Sequence, residues 1–452
     1  MPKTALREIL ETVAFHPKQR AEIVGDDPVL PVRYRIAAAA SASLAALGLA
    51  VSDSPVRVNA RAAAISLRSA RYLRVNGEPP PSPWDPFSGF YPVREGWISI
   101  HCNFPNHRAA ALRTLGVAED RARAEEASRT WRGEELEEAI HAAGGCAGYA
   151  RSQDHWNNHP QAKAVASQPL LAIERIGVSP AKPSRPGARP LEGIRVLDLT
   201  RVLAGPTCAK SLAEHGADVL KITAAHLPDS GMADLDTGMG KRSARLDLRK
   251  GEDLRVLKNL VSGADVFVQS YRPGALARRG LSPEALAELR PGIVCASLSA
   301  WGPSGPWRER RGFDSIVQAV SGIAHAEGRN AGSLAKPRLL PVSAIDYVSG
   351  YLMAFGVCVA LRRRAAQGGS WLVRVALARV GKWIVDRGQA SGYEGLPEDL
   401  PEAELAPLMG EMDAPDGRIR YLKPVLELVE TPPYFARPPV PLGYHPAVWT
   451  SS

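Results

Sequence analysis

A single aspartate, Asp346, stands out as a residue that could carry covalent chemistry. It lies in Pro-Val-Ser-Ala-Ile-Asp-Tyr-Val-Ser-Gly-Tyr (341–351), directly before the apolar, helix-like run 352–361. A carboxylate at the mouth of a helix, at the edge of an α/β sheet, is placed to act as a nucleophile. An aspartate in front of a helix is also a common cap for the helix backbone. Taken alone, this segment leaves both interpretations open.

The segments that must position Asp346 alternate between short apolar strands and helices. The predicted elements are strands at 194–199, 217–222, 245–248, 265–269 and 293–298, and helices at 204–215, 254–261 and 283–290, the last capped by Ser282. Alternation at this spacing is typical of a parallel sheet with helices on both faces. We therefore predict an α/β fold whose large domain, residues 193–385, has a doubly wound, Rossmann-like parallel sheet.

The rest of the chain divides into four further segments. Residues 61–180 predict a smaller α+β domain, residues 181–192 form a Pro-rich linker, and residues 386–452 are expected to return to the large domain. Residues 1–60 predict a helical segment. Part of it resembles 352–380, because each has a small-residue helix followed by a Val-x-Val strand. The first segment could therefore be a degenerate repeat with Ala37 near the position of Asp346; chance similarity is the alternative.

Composition indicates an ordinary globular chain. Of 452 residues, 45% are hydrophobic and 23% are charged. The apolar runs look too short or too broken to span a bilayer, and the first residues lack the pattern of a signal peptide. Five scattered cysteines without metal or disulfide spacing favour a reducing compartment. We therefore predict a cytoplasmic protein with no membrane contact and no bound metal; His155 and His159 are four apart, but in a predicted loop.

The net charge of +9 has three possible meanings. It could attract nucleic acid, it could attract a small anionic ligand, or it could be a solvated surface. A basic stripe interleaved with aromatic residues is missing, as is a recognised nucleic-acid motif. We therefore predict no nucleic-acid partner and retain the other two interpretations.

Six blocks of sequence, in a fixed order, carry a family resemblance. They are 191–222 (opening Leu-Glu-Gly-Ile-Arg-Val-Leu-Asp-Leu), Gly-Lys-Arg-Ser-Ala-Arg-Leu-Asp-Leu (240–248), Tyr-Arg-Pro-Gly-Ala-Leu-Ala-Arg-Arg-Gly-Leu (271–281), Ala-Ser-Leu-Ser-Ala-Trp-Gly-Pro-Ser-Gly-Pro (296–306), Arg-Gly-Phe-Asp-Ser-Ile-Val-Gln-Ala-Val-Ser-Gly (311–322) and the segment of Asp346. Together they resemble the family III CoA-transferases. Residues 96–116 and 155–162 resemble the small domain of that family, which follows the large domain in most members and precedes it here.

The resemblance implies an acyl-CoA:carboxylate CoA-transferase in which Asp346 carries the acyl group. The expected intermediates are an aspartyl mixed anhydride and an aspartyl-CoA thioester, with coenzyme A as part of the substrate and no metal. Members of the family form interlocked dimers, so we expect a homodimer, or a chain that fills part of that arrangement itself. Two alternatives stay open: a CoA-dependent isomerase or racemase of the same superfamily, and a degenerate homologue that binds CoA without turnover.

The resemblance also implies which residues contact CoA. They are Ala204, Gly205, Lys241, Arg242, Arg272, Arg278, Arg311 and Phe313. The backbone N–H groups of the first two are candidates for stabilising an oxyanion. The cations would meet phosphates, adenine or pantetheine, and guanidinium groups suit phosphate because their donors form a fixed fork. For each cation, a plain surface charge is the alternative.

Four departures from the family pattern qualify these expectations. Leu203 stands where many transferases have glutamine, which favours a less polar acyl group. Thr223 and Ala224 replace a usual Glu-Arg pair, so that either His226 takes over the contact or CoA binds more weakly. Phe313 replaces the histidine of the racemases and cannot move a proton, which argues against a racemase. Residues 76–81 are Pro-rich where several transferases have a mobile Gly-rich loop.

Overall fold

The computed structural model of the chain describes residues 1–79, 81–82, 84–183, 187–328 and 336–450. Its helices are α1 (Pro2–Thr12), α2 (Ile36–Val51), α3 (Ala60–Ser66), α4 (Ser69–Tyr72), α5 (Pro105–Leu115), α6 (Arg121–Ser128), α7 (Gly133–Ala142), α8 (Gln153–Asn158), α9 (Pro160–Ala166), α10 (Ala204–Glu214), α11 (Met232–Gly238), α12 (Gly251–Ser262), α13 (Pro283–Leu289), α14 (Asp314–Val320), α15 (Ile323–Glu327), α16 (Ala344–Gln367), α17 (Leu377–Asp386) and α18 (Glu402–Leu405). Its strands are β1 (Ala21–Val24), β2 (Val56–Asn59), β3 (Arg74–Val75), β4 (Gly89–Val93), β5 (Gly96–Ile100), β6 (Ala147–Tyr149), β7 (Ala172–Gly177), β8 (Arg195–Leu199), β9 (Asp218–Thr223), β10 (Arg242–Arg245), β11 (Val266–Gln269), β12 (Val294–Ser299), β13 (Ser370–Ala376), β14 (Met409–Ala414), β15 (Gly417–Leu422) and β16 (Leu426–Leu428).

A seven-stranded sheet forms the large domain, in the order β10-β9-β8-β11-β12-β13-β7. The pairs from β10 to β13 are parallel, and β7 is antiparallel at one edge. The chain winds outward from β8 to β10, returns through α12 to β11, and then winds the other way. The winding therefore reverses between β8 and β11, and the carboxyl ends of strands at such a point are the usual ligand site of this architecture. The predicted doubly wound sheet is confirmed.

Local sequence explains most element bounds, and two expectations were wrong. Helix α13 starts where the Ser282 hydroxyl accepts the N–H of Ala285, as the sequence predicts. Strand β10 comes three residues earlier than expected: it pairs only with β9 at the sheet edge, and its sequence, Arg-Ser-Ala-Arg, lacks the apolar run by which the other strands were predicted. Residues 153–158 form α8 rather than a loop, since the Ser152 hydroxyl caps the helix through the N–H of His155.

Helix α16, which begins with the Asp346 segment, is the central core helix and packs on α2, α10 and β13. Gly350 permits a close approach to α10: a Cβ there would lie 2.7 Å from the carbonyl oxygen of Ala204. The helix is long and apolar enough to cross a membrane, with a mean hydropathy of 1.6 over a window that is wholly buried in the fold. The expectation that every apolar run is too short was therefore wrong for this helix, whose apolar surface is covered by the chain itself.

The N-terminal segment contains two strands as well as helices. Strands β1 and β2 are parallel, β16 joins β2 in antiparallel orientation, and α2 lies between β1 and β2 in the chain. The same local order occurs in β12, β13 and β7, and α2 packs against α16. Asp27 accepts hydrogen bonds from the N–H groups of Ala37 (2.9 Å) and Ala38 (3.0 Å) at the start of α2. These features support the interpretation of residues 1–60 as a degenerate repeat.

The small domain and the C-terminal segment complete the fold. Strands β4, β5 and β6 form an antiparallel sheet that packs with α5, α6 and α7 around its own core. Strand β15 pairs with β14 on one side and with β3 on the other, and the chain end reaches the large domain, where Trp449 Nε1 donates to the carbonyl oxygen of Leu260 at 2.9 Å. Residues 386–452 therefore contact both the N-terminal segment and the large domain. Residues 184–186 of the predicted linker lie outside the described residues.

We expect Glu137→Ala to lower the free energy of unfolding by about 3–5 kcal/mol. Glu137 and Arg151 form a buried ion pair, with side chains 2% and 1% exposed and hydrogen bonds of 2.9 and 2.7 Å. Removing the carboxylate leaves the buried guanidinium with the half-exposed Glu134 at 3.1 Å and the carbonyl oxygen of Tyr149 at 3.2 Å. Urea unfolding measures the loss. Glu135→Ala, at an exposed position of the same helix, is the control and should change stability by less than about 0.5 kcal/mol; equal losses would contradict the prediction.

Candidate active site

Asp346 is the third residue of α16 and is only 7% exposed. Its backbone N–H donates to Oδ2 of Asp314 at 3.0 Å, and the N–H of Ile345 also bonds to that carboxylate. Asp314 in turn accepts from the Gln318 side-chain amide, whose oxygen accepts the N–H of Leu340 at 2.8 Å. Asp314 therefore caps α16, which frees the Asp346 carboxylate from that role; within the described residues, no donor bonds to its oxygens.

Burial makes both carboxyl groups, Asp314 and Asp346, costly to ionise. Burial raises the pKa of Asp314 to about 6. Burial raises the pKa of Asp346 well above its ordinary value, and the charge of Asp314 raises it further. Because the two groups interact strongly, they titrate as a pair. Perturbed acids of this kind in a cavity are typical of functional sites.

Asp346 opens into a cavity of about 570 Å³, here called the Asp346 cavity. Its walls come from the segments that follow β8, β11 and β12, from the residues before α14, and from the start of α5 in the small domain. It therefore lies at the carboxyl ends of the strands, beside the reversal point between β8 and β11. Arg201 N donates to Ser270 Oγ at 3.2 Å, which joins the two segments at that point.

The turn from β8 into α10 brings strained backbone and free N–H groups to this cavity. Val202 has φ of 68°, a left-handed conformation that is costly for a β-branched residue and typical of functional sites. Ala204 and Gly205 open the helix, so their N–H groups have no acceptor within it. A Cβ at Gly205 would lie 2.6 Å from Cβ of Thr200, so the tight turn requires glycine. Gly350 holds this helix start against α16.

An aromatic cluster from both domains covers one side of the cavity. Phe313 stacks on His101 with ring centroids 3.8 Å apart, and Phe104 and His107 pack around them. Burial lowers the pKa of His101 to about 3, and burial together with the charges of Arg311 and Arg201 lowers that of His107 to about 4. Both imidazoles are therefore neutral near pH 7, and Nδ1 of each has no partner among the described residues.

A second cavity of about 420 Å³, here called the Arg278 cavity, adjoins the first at Tyr271 and His226. Arg278 and Arg279 lie in its wall, which makes it basic. Thr223 and Ala224, the residues that depart from the family pattern, are buried in the same wall. His226 lies where both cavities meet, as expected if it replaces the missing cation.

Two predicted CoA contacts lie elsewhere. Lys241 is 2% exposed, and its Nζ bonds to Asp198 at 2.7 Å and to the carbonyl oxygen of Pro206 at 2.8 Å. Arg242 is 4% exposed and pairs with Asp218 at 2.9 Å. Both cations are engaged by buried or half-buried carboxylates, and neither lines the Asp346 or Arg278 cavity. In this structure, both residues support the sheet and α10.

The structure thus brings most of the predicted site together. Asp346, Ala204, Arg272, Arg311 and Phe313 line the Asp346 cavity, Arg278 lies in the adjoining cavity, and Gly205 supports the α10 turn. Sequence reasoning missed Asp314, His101, His107, Arg201 and Tyr271. Asp314 follows Phe313 directly, but nothing in the sequence indicates that its carboxylate meets the backbone of a residue 32 positions away. Among the described residues, no group of three His, Cys, Asp or Glu side chains could hold a metal ion.

Comparison with known proteins points to one family. Residues 191–407 match the sequence profile of CoA-transferase family III. The acetyl-coenzyme A transferase nodX of Hypoxylon pulicicidum is 37% identical over 210 residues, which are 46% of this chain and 35% of that protein. The succinyl-CoA–L-malate CoA-transferase alpha subunit of Chloroflexus aurantiacus is 32% identical over 238 residues, 49% of this chain and 52% of that protein. The chain therefore spans about half or less of these relatives. A solved structure of Rv3272 from Mycobacterium tuberculosis is 30% identical, with a TM-score of 0.41 and coverage of 45% and 58% of the two chains.

Proposed function

We propose, on the premise that residues 191–407 belong to CoA-transferase family III, that this protein transfers coenzyme A from an acyl-CoA to a second carboxylic acid, with Asp346 as the nucleophile. The observation that carries the proposal is the Asp346 carboxylate, which opens into a cavity while Asp314 takes over the capping of its helix. A carboxylate suits the reaction because each covalent intermediate is an activated acyl group close in energy to the thioester.

The reaction proceeds in four balanced steps. An oxygen of Asp346 attacks the thioester carbonyl of acyl-CoA and expels CoA thiolate, which leaves a mixed anhydride. The thiolate attacks the aspartyl carbonyl, forms an aspartyl-CoA thioester and releases the first acid as a carboxylate. The acceptor carboxylate then attacks the aspartyl carbonyl and expels thiolate again. Finally the thiolate attacks the acceptor acyl carbonyl, which releases the new acyl-CoA and regenerates Asp346.

The start of α10 is placed to stabilise the negative charge on the tetrahedral oxyanion that forms in each step. A tetrahedral oxyanion needs preorganised donors. The N–H groups of Ala204 and Gly205 are free of intrahelical acceptors, and the close packing at Gly350 brings this helix start near the beginning of α16. We assign these two N–H groups as the oxyanion donors.

The adjoining cavities support a path for CoA. The Arg278 cavity lies at the carboxyl ends of β8, β9 and β10 and is basic, which suits the adenosine and its phosphates. The pantetheine arm then runs past Tyr271, which lines both cavities, to Asp346. Arg272 and Arg311 lie along this path, whereas Lys241 and Arg242 do not line it. The contacts of the arginines with CoA remain predictions.

The setting of the enzyme is also a proposal. We propose a cytoplasmic homodimer, in which α2 of the same chain already covers part of α16. The five cysteines are free and buried, which agrees with a reducing compartment. The degenerate repeat would then occupy, within one chain, part of the surface that an interlocked partner covers in the family.

One observation keeps the isomerase alternative open. Phe313 cannot move a proton, but His107 brings an imidazole to the same cavity. Its pKa of about 4 leaves it neutral and able to accept a proton only weakly. Exchange of the substrate α-proton in heavy water discriminates the two: a transferase shows none at the rate of turnover.

Mass spectrometry of trapped intermediates tests the proposed function. The protein is incubated with a panel of acyl-CoAs and then treated with hydroxylamine, which converts an activated aspartyl group into a hydroxamate. We expect the modification on the peptide that contains Asp346, and only when an acyl-CoA is present. CoA binding without modification by any donor would instead favour the non-catalytic homologue.

A further inference from the structure

A third cavity, of about 290 Å³, lies along β11, β12 and β13, between these strands and the segment that leads into α13, and is here called the apolar cavity. Its apolar walls are formed mainly by Phe267, Leu276, Leu281, Leu286, Leu372 and Val375. It shares Tyr271, Arg272, Pro273, Leu298 and Ser299 with the Asp346 cavity. The two cavities therefore adjoin at these residues, beside the path proposed for the pantetheine arm.

The polar groups that line the apolar cavity alone, and not the Asp346 cavity, bond to other protein groups. The Gln269 amide donates to Ser297 Oγ, and its oxygen accepts the N–H of Tyr271 at 2.9 Å. Arg374 pairs with Glu174 at the rim. Among the described residues, no buried polar side-chain atom of its wall lacks a partner. A polar ligand would gain nothing here, whereas an apolar one would gain the transfer free energy of its buried surface.

The Asp346 cavity has the opposite character. It contains the unpartnered Nδ1 of His107 and the guanidinium groups of Arg201 and Arg311, for which burial lowers the pKa. These groups favour the anionic and polar parts of the substrate, namely the reacting carboxylates and the CoA arm. An apolar chain attached to the thioester carbonyl is therefore more favourably placed in the adjoining apolar cavity than in the Asp346 cavity.

We infer that the apolar cavity binds the hydrocarbon part of the acyl group, so that the substrates are medium-chain or ring-bearing acyl-CoAs rather than short dicarboxylates. The inference rests on the proposed function. The volume sets the size: a small group such as a water molecule takes about 30 Å³, so the cavity holds about ten groups of that size. Leu203, in place of a polar residue in the Asp346 cavity, agrees with this substrate class.

Kinetics on a narrowed cavity test the inference. Ala172 lies in the wall, on the half-buried edge strand β7, and lines neither of the other two cavities. We expect Ala172→Phe to lower kcat/KM for decanoyl-CoA by about tenfold or more and to leave that for acetyl-CoA within about twofold. Ala166→Phe, an exposed position on the preceding helix α9 that lines none of the three cavities, is the matched control and should change neither value. Equal losses for both substrates in Ala172→Phe would overturn the inference.

A second measurement does not depend on turnover. Decanoyl-CoA with a diazirine at the end of its chain is bound to the wild-type protein, irradiated, and the labelled peptides are mapped. Label on residues 281–286 or 372–375, which line only the apolar cavity, supports the inference, whereas label confined to the Asp346 cavity, for example on 104–107 or on Ala300, or no label, overturns it. Label in the apolar cavity without an Asp346 adduct would contradict the proposed function but not this inference. An Asp346 adduct with label elsewhere would sink this inference alone.

Discussion

Asp346→Asn should lower the rate of CoA transfer on the order of 10⁴-fold, the scale seen when one member of a covalent catalytic unit is lost. The amide keeps the size of the side chain but cannot attack a thioester, so the anhydride and the aspartyl thioester no longer form. Acyl-CoA binding should survive, because the walls of the Asp346 cavity are unchanged. Steady-state transfer, hydroxylamine trapping and equilibrium binding of the acyl-CoA measure the three effects separately.

Asp27→Asn is the matched control for this variant. Asp27 caps α2 through the N–H groups of Ala37 and Ala38, as Asp314 caps α16, but it lies in the N-terminal segment proposed as a degenerate repeat. It should leave transfer unchanged and cost at most about 1 kcal/mol of stability. Transfer retained within about tenfold in Asp346→Asn would contradict the nucleophile assignment and favour a binding role.

Asp346→Asn should also be more stable to unfolding than the wild type at alkaline pH. The folded state raises the pKa of Asp346, mainly through burial, so the folded protein holds this proton more tightly than the unfolded chain. Stability from this group therefore decreases as pH rises from the ordinary carboxyl pKa towards the folded one. Asparagine carries no charge and escapes that loss. Thermal unfolding of both proteins at two pH values shows whether the difference grows with pH.

The large domain could be predicted because its strands are short apolar runs between clear helix signals. Strands β8, β9, β11 and β12 lie within one or two residues of the predicted positions. Strand β1 carries only four residues, Ala-Glu-Ile-Val, and its pairing with β2 spans more than thirty positions of the chain. Such a pairing depends on tertiary contacts, so the sequence predicted a helical segment there and missed the strand.

The candidate site was predictable at Asp346 and less so around it. The resemblance pointed to Asp346 as the proposed nucleophile, but it could not show that Asp198 and Asp218 engage Lys241 and Arg242. A buried cation needs a partner, and the choice of partner is set by the fold rather than by local sequence. The position of His107 in the Asp346 cavity could not be predicted either, because this residue belongs to the small domain and reaches the cavity only through the packing of the two domains.

The proposed repeat relates α2 to α16, the helix that carries Asp346. Helices α2 and α16 pack against each other, and an aspartate from outside each helix caps its start. In the degenerate copy, alanines occupy the helix start, so the cap there serves only structure. In the complete copy, the capping carboxylate lies beside the nucleophile, and its charge acts on the nucleophile's pKa. A capping aspartate therefore changes the pKa of a neighbouring carboxyl group only at α16, where Asp346 is present.

Asp314→Asn should move the acidic limb of the pH profile of kcat/KM to lower pH. Asp346 attacks only when ionised, and the charge of Asp314, whose own pKa is about 6, raises the pKa of Asp346. Asparagine removes that charge, so Asp346 ionises at lower pH, while its oxygen still accepts an N–H from α16. Profiles recorded between about pH 5 and about pH 9 measure the shift. An acidic limb that stays in place, or that moves to higher pH, would contradict the proposed effect of the Asp314 charge on the pKa of Asp346.

Asp314→Ala should instead lower kcat on the order of 10²-fold at every pH, because the cap of α16 is lost and the nucleophile loses its position. Comparison of the two substitutions separates the charge of Asp314 from its hydrogen bonds. If Asp314 had only a structural role, both variants would lose activity and the acidic limb of the kcat/KM profile would stay at the same pH. Asp27→Asn, which removes the charge of the corresponding cap on α2, should leave the profile in place and so assigns the shift to the carboxylate beside Asp346.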